Sequence, residues 1–156
     1  MNQHERLAAD GFFMIHNAVE QTTANDLVPA CQAAFSDDAG ERARSSRGHV
    51  YAARNLLHAV PILKTFWQSG ILCDVLRSVL GDQFGLVRVL FFDKPPDRTW
   101  VLPWHKDTAI AVKNNSRPSS FFSRPTLKAG VPHVVACDDV LRQMLTLRTH
   151  LDRVTD

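Results

Sequence analysis

No run in this chain approaches the roughly 20 consecutive apolar residues that a membrane-crossing helix needs, and the N-terminal segment MNQHERLAADGFF lacks the apolar core of a secretory signal. Cysteine is sparse as well. Cys31, Cys73 and Cys137 are odd in number and far apart, with none of the C-x-x-C pairing that marks a zinc knuckle or a redox motif. They read as buried thiols in a reducing compartment, so a soluble cytoplasmic protein is expected. Charge of one sign is also missing: the formal net charge is +2 and Lys and Arg form no block. That composition argues against a nucleic-acid or membrane-surface binder and leaves a small-molecule substrate as the expected partner. With no internal repeat and an ordinary apolar share of 45%, one domain over residues 1–156 is expected.

What is present divides into two periods. Residues 22–35 open on Thr22 or Thr23 as N-cap and then space Leu27, Ala30, Cys31 and Ala34 along one helical stripe, with Gly40 closing the element. Pro61 suits the first turn of a second helix through Phe66 and Trp67. A third carries Ile71, Leu72, Val75, Leu76 and Val79 on one stripe and ends at Gly81. From Phe84 the period shortens. The segments GLVRVLFFD, TWVLPWH, TAIAV and MLTLRTHLD are short, β-branched or aromatic, and separated by Pro, Asn, Ser and Gly. A helical part, 1–82, followed by strands over 84–156 predicts an α+β fold in which helices pack on an antiparallel sandwich or jelly roll. Between the strands, Lys113 to Lys128 (KNNSRPSSFFSRPTLK) reads as a long polar loop, whose Phe121 and Phe122 either form a lid or tuck back onto the core.

The candidate chemistry lies in Trp104-His105-Lys106-Asp107, at the end of one of these strands. A two-residue period points His105 and Asp107 to the same face. An imidazole and a carboxylate so placed supply two of the three ligands of a 2-His-1-carboxylate site, which leaves metal positions open for a co-substrate and O₂. H-x-D alone is a weak signal, and the chain holds a second copy in His150-Leu151-Asp152. On that later strand Thr146, Arg148, His150 and Asp152 share one face, which either lines a pocket or meets solvent. His4, His16, His49, His58 and His133 have no ligand partner at useful spacing and read as structural. Arg54, in Arg54-Asn55-Leu56-Leu57, offers a cation to a carboxylate. Lys94, ahead of two prolines, is either catalytic or the charged cover of a turn.

The first H-x-D copy stands in Phe91-Phe92-Asp93-Lys94-Pro95-Pro96-Asp97-Arg98-Thr99-Trp100-Val101-Leu102-Pro103-Trp104-His105-Lys106-Asp107. This run resembles the phytanoyl-CoA dioxygenase family of non-haem Fe(II), 2-oxoglutarate-dependent oxygenases. The likeness extends to Asp10-Gly11-Phe12, to Lys128-Ala129-Gly130-Val131-Pro132-His133 and to Leu147-Arg148-Thr149-His150-Leu151-Asp152, and so covers nearly the whole chain. The resemblance implies a jelly roll, Fe(II) held by His105 and Asp107, 2-oxoglutarate as co-substrate with Leu90 in the pocket wall, and hydroxylation of a small molecule. A carboxylate at 107 matters, because related halogenating enzymes carry a small residue there and leave room for chloride.

In the family a distal His completes the iron site, and an Arg beyond it grips 2-oxoglutarate. Neither has a matching position here, so the chain reads as the N-terminal two-thirds of such a domain with an incomplete jelly roll. Two alternatives follow: an inactive truncated fragment or pseudoenzyme, and a dimer in which a partner supplies the absent groups. An unfinished barrel also predicts self-association through open strand edges around Val87–Phe92 and Leu145–Leu151.

Overall fold

A computed structural model describes residues 3–34, 43–46, 49–68, 70–93, 103 and 105–152, with the backbone alone at 43–46 and 49–50. Gly40, Lys94 and Trp104, each singled out by the sequence, lie outside these residues, as does most of the segment TWVLPWH. The order of elements is α1 (Gln3–Asp10), α2 (Gln21–Ala33), β1 (Ala43–Ser46), β2 (His49–Arg54), α3 (Leu56–Ala59), a 3-10 helix (Pro61–Lys64), α4 (Gly70–Leu80), β3 (Leu90–Phe92), β4 (Ala109–Ala111), β5 (Phe122–Lys128), β6 (Val131–Ala136) and α5 (Asp138–Leu141). The protein is α+β, with two antiparallel three-stranded sheets of order β1-β2-β3 and β4-β6-β5. No helix among the described residues is long and apolar enough to cross a membrane.

α2 and α4 follow their sequence signals, whereas the helix expected from Pro61 through Phe66 and Trp67 is a 3-10 turn that ends at Lys64. α2 buries Ala24, Leu27 and Cys31, and α4 buries Leu72, Cys73, Val75 and Leu76. Gly81 adopts φ +81°, the left-handed conformation that ends helices, and Pro61 opens the 3-10 turn, where its missing N–H costs nothing. The N-cap of α2 is Glu20 rather than Thr22 or Thr23, and no side chain caps it.

The strands depart further from expectation. The part expected to be helical, 1–82, contains the hairpin β1–β2, whose register runs from Ala43 opposite Ala53 to Ser46 opposite His49. The supposed loop 113–128 ends in strand β5, which pairs with β6 from Phe122 opposite Ala136 to Lys128 opposite Val131. Pairing with the neighbouring strand of each hairpin made these strands; the polar sequences of β1 and β5 carry no two-residue period. Phe121 and Phe122 do not tuck onto the core, being 55% and 36% exposed. Conversely, 144–151 alternates well but forms no strand, and 84–89 is irregular ahead of β3.

The β5–β6 turn consists of Ala129 and Gly130, at φ +50° and +76°. Two left-handed residues give the twist that a two-residue hairpin favours. Gly adopts this freely and Ala does not, and the Ala129 carbonyl is held by the Asn55 side-chain amide at 2.9 Å. Asn55 is itself left-handed, at φ +60°, and follows directly on β2. One hydrogen bond thus ties the end of the first sheet to the hairpin of the second.

The core gathers on one face of the first sheet. Leu27 and Cys31 from α2, Leu56 from α3, and Val60 and Leu63 around the 3-10 turn pack against Ala53 and Phe91. Ala53 and Phe91 are cross-strand partners, so both side chains leave the sheet on the same side. Leu151 also packs against this cluster, although its segment has no ladder. Burial holds the Cys31 thiol protonated, pushing its pKa up to about 11.

Candidate functional site

His105 and Asp107 lie in an irregular segment that enters β4, not on a strand, because β4 begins at Ala109. The two side chains are nevertheless close. His105 Nδ1 is 2.9 Å from the carbonyl oxygen of Pro103. A carbonyl only accepts, so Nδ1 carries the proton, and in the neutral ring Nε2 keeps its lone pair. That lone-pair nitrogen is 3.7 Å from Asp107 Oδ1, too far for a hydrogen bond. Metal–ligand distances of about 2.0–2.2 Å allow one ion to reach both atoms across such a gap.

Three contacts hold the segment. The Lys106 ammonium donates to Asp138 Oδ1 at 2.8 Å, which ties the residue between the two candidate ligands to α5. That hydrogen bond and charge hold the Asp138 carboxyl below its usual pKa. The Thr108 carbonyl accepts from the Ala136 backbone N–H, extending the β4–β6 pairing toward the site. Arg88 approaches from the irregular segment ahead of β3, with its guanidinium 3.7 Å from Asp107 Oδ2.

Arg54 and Leu90 are brought together as well, directly opposite each other in the β2–β3 register. Cross-strand partners share a face, and this is the face turned away from Ala53, Phe91 and the core. Arg54 is exposed and Leu90 half-buried. Arg88 lies two residues before Leu90 in the chain and forms an ion pair with Asp107.

Other candidates stay apart. Thr146, Arg148, His150 and Asp152 are all exposed, which matches a solvent-facing edge rather than a pocket lining. His133 is buried in β6 with Nδ1 donating to the Val131 carbonyl at 2.9 Å, in keeping with a structural role. An open depression of about 390 Å³ lined by Arg6, Asp10, Phe12, Phe13, Met14 and His16 includes none of the candidate ligands. Sequence reasoning missed Arg88, Asp138 and Asn55. For Arg88 a signal existed, a charge inside the apolar run GLVRVLFF, where a cation needs a partner.

The donor set fits two positions of a divalent metal, one imidazole nitrogen and one carboxylate oxygen. Among the described residues no group of three His, Cys, Asp or Glu comes together. No protein-family model, curated protein or solved structure gives a significant match to the chain.

Proposed function

We propose that this chain forms part of a non-haem Fe(II), 2-oxoglutarate-dependent oxygenase domain of the phytanoyl-CoA dioxygenase kind, acting on a small molecule in the cytoplasm. The observation that carries the reading is the His105–Asp107 pair: Nδ1 is committed to the Pro103 carbonyl, and Nε2 and Oδ1 face each other at 3.7 Å. His105 and Asp107 would hold Fe(II), which with 2-oxoglutarate and O₂ supplies the oxidation of a C–H bond. Arg54 would meet a carboxylate of the co-substrate, and Leu90, its neighbour across the ladder, would wall the pocket. The two small antiparallel sheets and their Asn55–Ala129 and Arg88–Asp107 ties are compatible with two facing sheets of a jelly roll.

Anaerobic addition of Fe(II) and 2-oxoglutarate tests this reading through the charge-transfer absorption of iron chelated by a 2-oxo acid. The wild-type chain should develop the band, His105→Ala should not, and Arg54→Ala should need several-fold more 2-oxoglutarate. A band that survives His105→Ala removes the proposal.

A second reading, a domain of this kind without turnover, is favoured by one observation. No third metal ligand joins the pair among the described residues. Succinate formation decides between the two readings. The inactive domain converts 2-oxoglutarate no faster than free iron, and the oxygenase does so in a His105-dependent manner.

A further inference from the structure

The two oxygens of Asp107 have different neighbours: Oδ1 faces His105 Nε2 and Oδ2 faces the Arg88 guanidinium, each at 3.7 Å. We infer that Arg88 is a positioning residue, holding Oδ2 so that Asp107 presents Oδ1 alone toward His105 Nε2. The inference rests on the metal reading given above and deepens it.

Asp107 needs such a hold. Its side chain is 74% exposed in an irregular segment, and a carboxylate there rotates among orientations that offer one oxygen, both or neither. Arg88 is better anchored, with its side chain 32% exposed. The following residue, Val89, packs against the core cluster, and Leu90 is laddered to Arg54. Arg88 thus adjoins residues that pack on the core and pair in the first sheet, whereas Asp107 stands in an exposed irregular segment. The guanidinium attracts Oδ2 through charge rather than through a hydrogen bond, which favours the carboxylate orientation that leaves Oδ1 toward His105. His105 has its own support in the Pro103 carbonyl, so both ligands receive an outer partner that fixes which atom faces the gap. Against this stands repulsion between Arg88 and a divalent ion. At a site so exposed, solvent and salt reduce that repulsion, whereas outer partners of metal ligands typically contribute about 10-fold or more to affinity.

The test is Mn(II) titration of the whole chain, followed by paramagnetic broadening of the His105 ring signals, in wild type, Arg88→Ala and Arg88→Lys. Arg142→Ala, which removes an exposed guanidinium 3.8 Å from Asp139, serves as the control for general charge. Arg88→Ala should weaken binding about 10-fold, as expected for an outer partner. Arg88→Lys should recover most of the loss, and Arg142→Ala should change nothing. The thermal midpoint should be the same in all four proteins, since exposed pairs add little stability. Binding in Arg88→Ala as tight as in wild type, or tighter, overturns the inference while leaving the metal reading intact. Absence of His105-dependent binding in the wild type overturns both.

Discussion

The two sheets are built to different standards. The first sheet, β1-β2-β3, has one face covered by α2, α3 and the 3-10 turn, with Leu27 and Leu56 both 1% exposed. The second, β4-β6-β5, buries His133, Val134 and Ala136 on its central strand, while β5 is exposed along nearly its full length. Burial of apolar area is the dominant favourable term in folding, so stability is concentrated in the first sheet and its helices. The candidate chemistry lies at the entry to the second sheet, steadied by contacts that reach it from elsewhere. Active residues carried on loops and braced by a rigid neighbour are a common arrangement.

The sharpest way to break this contrast is to truncate one side chain in each sheet. Leu56→Ala, in the helix-covered core, should cost about 3 kcal/mol in denaturant unfolding, as cavity-forming substitutions do. Leu127→Ala on β5, 69% exposed, should change stability by less than about 0.5 kcal/mol. Similar values for the two would mean that the second sheet is covered in solution.

Next in size is the tie between the sheets. Asn55→Ala removes the hydrogen bond to the Ala129 carbonyl and places alanine at a left-handed position. A loss of about 1–2 kcal/mol is expected, accompanied by faster amide exchange in the Lys128–Val131 hairpin than in α2. Uniformly faster exchange would show that the tie is not local to the hairpin.

Alkali should weaken the first sheet's core selectively through Cys31. The folded pKa is raised to about 11 from an ordinary value of 9.0, so burial favours the protonated thiol. The contribution is fully present below pH 9.0 and is lost as pH rises toward about 11. Cys31→Ser should remove this alkaline decline, which unfolding curves from pH 8 to 11 would show. The smallest effect concerns association: β5 and Phe92, 59% exposed, leave apolar surface that pairs with other chains. Light scattering should show oligomers that diminish when Phe92 and Leu127 are both replaced by Ser.

The helices were legible because their signals are local. Leu72, Val75 and Leu76 with Gly81 define α4 from neighbouring residues alone. Strands need partners that local sequence does not name. FSRPTLK became β5 through β6, despite its proline and its bulge between Ser123 and Thr126, whereas the well-patterned 144–151 has no ladder. The same division holds at the site. The two-residue spacing named His105 and Asp107 as neighbours, and they stand 3.7 Å apart, although on an irregular segment rather than on a strand. Arg88 and Asp138 reach the segment from distant parts of the chain, so spacing carried no trace of them.

The central claim is that His105 and Asp107 form a two-ligand divalent metal site. Anaerobic calorimetric titration with Fe(II) or Mn(II) tests it most directly, in wild type and in the His105→Ala and Asp107→Ala variants. The account predicts saturable binding weaker than micromolar, because two protein ligands hold an ion less firmly than three, with either substitution abolishing it. Equal heats in all three proteins would contradict the site itself, and sub-micromolar binding in the wild type would contradict its having two protein ligands.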